Sequence, residues 1–368
     1  MPLNMRTALT STGFPVREIY NWRPAMKHIF ETAALDKLSL KNRLIRSATW
    51  EGLADEAGHM PEKLYQVYER LAQGGVGAII TGFTSVAGDD HYFGGMMRIS
   101  DDTLIKEHQR LVNICHAENT PVIVQLALGE YNNSQNRDMA IDDMSANDIR
   151  KVIALFVAAA QRADTAGYDG VQIHAAHNFF LSRFISPAYN HRQDEYGDNA
   201  AARGKILLDI LQGIKAAAPR LHTTVKINCS DFIAGGLTPQ ESMLICQILA
   251  RNGIDSIEVS GNGTSVPGIR ARVNEAYFKE FALALADMVS VPVILVGGHR
   301  SIEGMEQVLN AGHIAFLSLS RPFVREPSLP KRWQNGDCAP AKCVSCNMCY
   351  QTPGHDCLFV LQNGASTE

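Results

Sequence analysis

No apolar run in this chain of 368 residues approaches the length needed to cross a bilayer, and the longest candidate, Val152 to Ala160, reads as one face of a helix. The first residues lack the apolar centre of a secretory leader, so a cytoplasmic location is expected. Charge of one sign is equally scarce. A formal net charge of −4 without long like-charge runs gives no field for nucleic acid or an anionic membrane, which leaves a small-molecule substrate as the expected partner. There is no Gly-rich dinucleotide fingerprint after the first strand-like run, and no short-period repeat. Eight cysteines do not make a disulfide framework at this size, and they are unevenly placed: Cys115, Cys229 and Cys246 are scattered, while five fall between Cys338 and Cys357. That distribution fits a reducing compartment.

What is present is a large supply of core-forming residues, 46% hydrophobic against 20% charged, enough for one barrel-sized domain with an appendage or for two ordinary domains. Residues 1–28 read as an N-terminal extension, with Met1 to Pro24 expected to be poorly ordered. From 29 to 335, short apolar runs alternate with helix-length amphipathic segments. The runs are Leu44–Ala48, Gly77–Thr81, Val122–Leu126, Asp169–Ile173, Thr224–Ile227, Ser256–Val259, Val293–Val296 and Ile314–Ser318. Eight such units predict an α/β fold, a closed (β/α)₈ TIM barrel of parallel strands, and count against an open doubly wound sheet. Residues 336–368 form a cysteine-rich C-terminal segment.

A barrel gathers its functional residues just past the carboxyl ends of its strands. Thr49 follows the first run, Gly82 the second, Gln125 ends the third, His174 and His177 follow the fourth and Lys226 lies near the end of the fifth. Gly297 and Gly298 follow the seventh run, and Ser320 and Arg321 the eighth. Singly, each has a plain explanation: a satisfied core amide, a mouth charge, a turn. Two imidazoles leaving one strand are either loop histidines satisfied by backbone or donors to a substrate oxygen; zinc is a weaker reading, because no third ligand is near. A glycine pair and a Ser–Arg after the last two strands make a phosphate site of the kind barrels use.

These residues resemble the old yellow enzyme family of FMN-dependent oxidoreductases. The resemblance spans roughly Ile29 to Arg325 and is carried by LKNRLIRSAT at Leu40–Thr49, GGVGAIITG at Gly74–Gly82, VQL at Val124–Leu126, HAAH at His174–His177 and FISPAYNHRQDEYG at Phe184–Gly197. It implies hydride transfer from NAD(P)H through FMN to an activated alkene or a related electrophile. Gln125 and the backbone at Ala48–Thr49 would then meet the flavin pyrimidine, Gly82 would admit it closely, and Lys226 would sit beside N1 and O2. Gly297, Gly298, Ser320 and Arg321 would hold the phosphate, and His174 and His177 would polarise the substrate. The chain departs from the family at several places. Phe179 stands where the family usually has a proton-donating tyrosine, leaving water, Tyr189 or Tyr131 as substitutes. Trp50 replaces a Thr or Cys near flavin O4, Lys226 stands where Arg is commoner, and Leu128-Gly129-Glu130 follows the third strand.

Cys343, Cys346 and Cys349 have C-x₂-C-x₂-C spacing, and Cys357 follows. The segment is similar to the [4Fe–4S] segment of trimethylamine dehydrogenase and 2,4-dienoyl-CoA reductase. A cluster, a structural zinc ion and an empty site all stay open, with Cys338 a substitute ligand. Eleven residues follow Cys357, so no second redox domain is expected. A cluster would exchange electrons with a separate electron-transfer protein; without one, NAD(P)H would reduce the flavin directly. The alternatives are a barrel lyase or isomerase acting on a phosphorylated substrate, and a flavoprotein that has become an electron-relay module.

Overall fold

The computed structural model describes residues 26–364 apart from 134–136 and 264; the disorder expected for Met1–Pro24 lies outside the described residues. An antiparallel hairpin, β1 (Ala33–Leu35) and β2 (Leu38–Leu40), precedes the barrel. The barrel strands are β3 (Leu44–Arg46), β4 (Ala78–Ser85) with a short parallel companion β5 (Met97–Arg98), β6 (Val122–Ala127), β7 (Gly170–Ala175), β8 (His222–Asn228), β9 (Ser256–Ser260), β10 (Val293–Val296) and β11 (Phe316–Leu319). All pair in parallel, and β3 closes the ring by pairing with β11 on one side and β4 on the other. The (β/α)₈ TIM barrel expected from the alternation is therefore present.

Helices α1 (Glu62–Gln73), α2 (Ile105–Ala117), α3 (Ala146–Ala166), α4 (Phe180–Ile185), α5 (Ala200–Ala217), α6 (Pro239–Arg251), α7 (Lys279–Met288), α8 (Ile302–Asn310) and α9 (Arg321–Arg325) follow the strands. Ser145 and Thr238 form capping boxes with Asp148 and Glu241, which fix where α3 and α6 begin. No helix among the described residues is long and apolar enough to cross a membrane.

Strand periodicity divides the core in two. Val124, Leu126, Val171, Ile173, Val225 and Ile257 pack outward against the helices, whereas Ile45, Ile80, Ile123, Ile294 and Phe316 fill the amino end of the barrel, where Leu35 and Leu40 of the hairpin plug it. With much of that end filled by hydrocarbon, apart from the buried His222–Ser256 pair at the start of β8 and β9, most polar interior residues lie in the middle and at the carboxyl mouth. The strands reach further than the apolar runs imply, so His174 lies inside β7 rather than beyond it. The run Phe184–Gly197 is structural: Asn190 Nδ2 donates to Phe184 O at 2.7 Å and to Tyr196 O at 2.9 Å, folding the connection to α5. After α10 (Leu329–Gln334), the cysteine-rich segment runs across the mouth and ends in α11 (Leu358–Gly364).

Candidate active site

The mouth opens into a cavity of about 360 Å³ whose lining includes Ser47, Ala48, Gln125, His174, His177 and Lys226 together with Gly297, Gly298, Ser320 and Arg321. Its floor is a continuous polar layer. Gln125 Nε2 donates to Gln172 Oε1 at 2.7 Å, and Gln172 Nε2 donates to Glu258 Oε2 at 2.9 Å. Glu258 Oε1 accepts from Lys226 Nζ at 3.2 Å, Ser47 Oγ at 2.8 Å and Ser318 Oγ at 2.6 Å, while Lys226 also donates to Ser47 Oγ at 2.7 Å. Burial pulls the Lys226 ammonium below its usual range, and the Glu258 carboxylate opposes this. Glu258 is itself held low, because the Lys226 charge and three donated hydrogen bonds outweigh its burial. The carboxylate is therefore ionised and faces Lys226 Nζ across their hydrogen bond. Glu258 and Gln172 escape a reading of the sequence, because a carboxylate and an amide inside apolar strands signal nothing until the barrel closes around them.

The two histidines meet with ring centroids 5.2 Å apart. Both ring nitrogens of buried His174 lack a partner, a cost a folded protein carries where a ligand will supply one. Burial, then His177, then Lys226 hold His174 well below its ordinary pKa; burial and Lys226 push His177 down to about 3. They are neutral imidazoles at physiological pH, so each offers one N–H rather than a positive charge. His177 Nε2 is 2.9 Å from Ser260 Oγ, which orients the ring. Phe179 lies 4.5 Å from His174 between centroids and belongs to an aromatic wall with Phe83, Phe93 and Tyr92. Neither expected substitute donor reaches the cavity: Tyr131 donates to Asp148 Oδ1 at 3.0 Å, and Tyr189 is exposed elsewhere. The tyrosines among its lining residues are Tyr277 and Tyr350.

At the other end, Gly297 and Gly298 have φ of 123° and 80°. A Cβ on either would come within 2.9 Å of the Tyr277 ring, so both conformation and space require glycine. Arg300 joins Arg321 there, a second guanidinium that the sequence did not single out.

Two expected residues are placed otherwise. Thr49 turns away from the cavity: its Oγ1 accepts from Arg46, donates to Ser47 O at 3.0 Å and lies 2.7 Å from Ser320 Oγ. Gly82 does not line the cavity either. A Cβ there would meet Glu51 Oε2 at 2.2 Å and Thr49 O at 2.8 Å, so this glycine makes room for a buried carboxylate, which burial lifts to about 7 despite Arg46 and Tyr68. Trp50 does line the cavity, but its indole N–H is taken up by Gly94 O at 3.1 Å.

Cys343, Cys346, Cys349 and Cys357 line one small cavity together, as thiols, with Arg321 as a shared wall between it and the mouth cavity. Cys338 is exposed and does not line it. Four sulfurs around a single zinc ion at ~2.3 Å would lie about 3.8 Å apart. Among the described residues, no three of these sulfurs stand within 4.8 Å of one another.

The model of the NADH:flavin oxidoreductase / NADH oxidase family matches residues 28–338. A metal reductase of Desulforamulus reducens is 28% identical over 342 residues, covering 88% of this chain and 51% of its own length, so the chain spans about half of that relative. An NADH-dependent flavin oxidoreductase of Hypocrea jecorina is 29% identical, with 80% of this chain and 85% of the relative covered. The structure of an old yellow enzyme homologue from Zymomonas mobilis superposes with a TM-score of 0.71 at 20% identity, covering 84% of this chain and 92% of that one.

Proposed function

For a chain that belongs to the NADH:flavin oxidoreductase / NADH oxidase family, the family of the old yellow enzymes, we propose an FMN-dependent oxidoreductase that takes a hydride from NAD(P)H and delivers it to an activated alkene or a related electrophile. One observation carries this reading. A single cavity has two guanidiniums at one end, a buried ammonium and carboxamide in its floor, and an imidazole with two unpartnered nitrogens at the other end.

FMN fits these residues. Arg321, Arg300, Ser320 and the backbone at Gly297 and Gly298 would hold the phosphate, while Gln125, Lys226 and the backbone at Ala48 would meet the polar edge of the ring. When bound, FMN supplies reversible hydride transfer, which no side chain can. The neutral imidazoles of His174 and His177 donate N–H to a substrate oxygen and polarise it without adding a charge that later needs neutralising. Lys226 brings a positive charge to the floor, tempered by Glu258. Phe179 holds no proton, so a substrate that must be protonated on carbon depends on water or on Tyr277 and Tyr350. Acceptors whose reduced form can hold the electrons as a stable anion, quinones and nitroalkenes, are therefore favoured over simple enones.

At the far side of Arg321, a [4Fe–4S] cluster on Cys343, Cys346, Cys349 and Cys357 accounts for four thiols that share a cavity yet stand too widely for one zinc ion. It would give the protein a one-electron outlet to a separate electron-transfer protein. An absorbance spectrum of the purified protein tests both cofactors, with iron and sulfide analysis alongside. Flavin bands that bleach on anaerobic addition of NADH or NADPH, over a broad iron–sulfur shoulder, are expected. A colourless protein that turns over a phosphorylated compound would put a lyase or isomerase in its place.

A further inference from the structure

Both cations at the phosphate end of the cavity are fastened to the cysteine loop. Arg321 donates through Nη1 to Asn347 Oδ1 and, at 3.1 Å, to Val266 O. Arg300 donates through Nε to Cys343 O at 2.9 Å and through Nη2 to Ser345 Oγ at 2.6 Å, with Cys343 Sγ 3.7 Å away. Its Nη1 donates to His299 O at 2.6 Å, and its own carbonyl accepts from Ala341 N at 2.8 Å. The anchors Ser345 and Asn347 flank Cys346, and both have left-handed backbone, at φ 55° and 62°. The same loop ties down the chain that follows β9: Asn347 Nδ2 donates to Ser265 O at 2.6 Å, and Gly268 N donates to Ser345 O at 3.3 Å.

Arginine side chains have several rotatable bonds, and a guanidinium discriminates a phosphate by its fixed fork only when those bonds are held. Here the holding atoms belong to residues interleaved between cysteines. Whatever draws the four sulfurs together also sets where Ser345 and Asn347 present their oxygens. Without that cross-link the loop, with its two left-handed residues, rests on these hydrogen bonds alone.

We propose that Ser345 and Asn347 are positioning residues for the flavin phosphate, and that through them occupancy of the four-thiol site sets how tightly FMN is retained. This rests on the assignment of the cavity to FMN and of the thiols to a metal cluster. The coupling is reciprocal: bound FMN should protect the thiol site from chelators to the same degree. A protein that loses its metal under oxidising conditions would then also release its flavin.

The test compares FMN with riboflavin, which lacks the phosphate, by quenching of flavin fluorescence on the full chain with its metal content measured. Asn347→Gly and Ser345→Gly keep the left-handed backbone and remove the anchoring oxygens, the first also removing the Nδ2 donor to Ser265 O. Each is expected to weaken FMN about tenfold while leaving riboflavin within twofold. Stripping metal from the wild type with a chelator should give the same selective loss, and should add little in the double variant. Equal weakening of both flavins would mean a general loosening of the fold and would overturn the positioning role, as would unchanged FMN affinity in both variants. Protein purified without metal at the thiols, or retention of FMN after metal removal, would overturn the link to occupancy. Arg321→Ala separates this from the underlying assignment: FMN affinity lost there but kept in both glycine variants defeats the inference alone, whereas FMN affinity unaffected by Arg321→Ala defeats the phosphate assignment itself.

Discussion

At the scale of single residues, the decisive feature of the site is that its imidazoles are neutral. With His174 held well below its ordinary pKa and His177 near 3, both rings are neutral from about pH 6.5 to 8. Reoxidation of the reduced protein by an activated alkene is expected to show no histidine step in that range by stopped flow; an inflection near pH 6.5 would mean that at least one ring is charged. Replacing either histidine by Ala should slow that half-reaction by about 10² and leave reduction by NAD(P)H largely intact. Phe179 is the complementary case. Its ring touches His174 and sits in the cavity wall, so Phe179→Tyr places a hydroxyl where substrate is polarised. A general acid so placed contributes about 10²–10⁴-fold. The variant should therefore accelerate enone reduction and leave quinone reduction unchanged, and equal acceleration of both would contradict the proton role.

At the scale of elements, the site is a product of strand ends. Lys226 on β8 and Glu258 on β9 are register partners, and Ser47 and Ser318 reach the same carboxylate from past β3 and from β11. Glu258→Gln would leave Lys226 buried without its counter-charge, a change that costs about 3–5 kcal/mol in comparable buried pairs. A lowered urea midpoint checks it; an unchanged one would mean that the lysine is neutral in the native protein. Past β10, Gly298→Ala forces a Cβ into a left-handed backbone and against Tyr277. A strain on the order of 1–2 kcal/mol is expected, together with weaker FMN retention on gel filtration.

At the scale of the whole molecule, buried histidines far from one another act in the same direction on stability. Burial pushes His108, His222 and His299 down to about 4, against an ordinary value of 6.5. The unfolded chain binds these protons first as pH falls. Stability is therefore fully present above pH 6.5 and is lost as pH drops from 6.5 towards 4, by up to about 1.4 kcal/mol per histidine per pH unit. Urea denaturation at pH 7.5 and pH 5 should give a clearly lower midpoint at the acid value; matching midpoints would mean that these rings are protonated in the native state.

The barrel was legible in the sequence because parallel strands covered on both faces are written as apolar runs, and helices between them keep a 3.6-residue period. The mouth positions Gln125, His174, His177, Lys226, Gly297, Gly298, Ser320 and Arg321 were legible for the related reason that barrel closure puts all carboxyl strand ends together, and the cysteines by their spacing. What the sequence could not carry is the direction in which a side chain turns once neighbours compete for it. Thr49 is drawn to Arg46 and Ser320, and Gly82 makes room for Glu51 rather than for a ligand. Glu258 becomes the hub of the floor only when β8 and β9 lie side by side, 32 residues apart in the chain at Lys226. Arg300 joins the phosphate end only when the cysteine loop folds back on it. Local pattern fixes which backbone forms, since that depends on burial at short periods; partnership between polar side chains is decided by distances across the closed barrel, which no local pattern encodes.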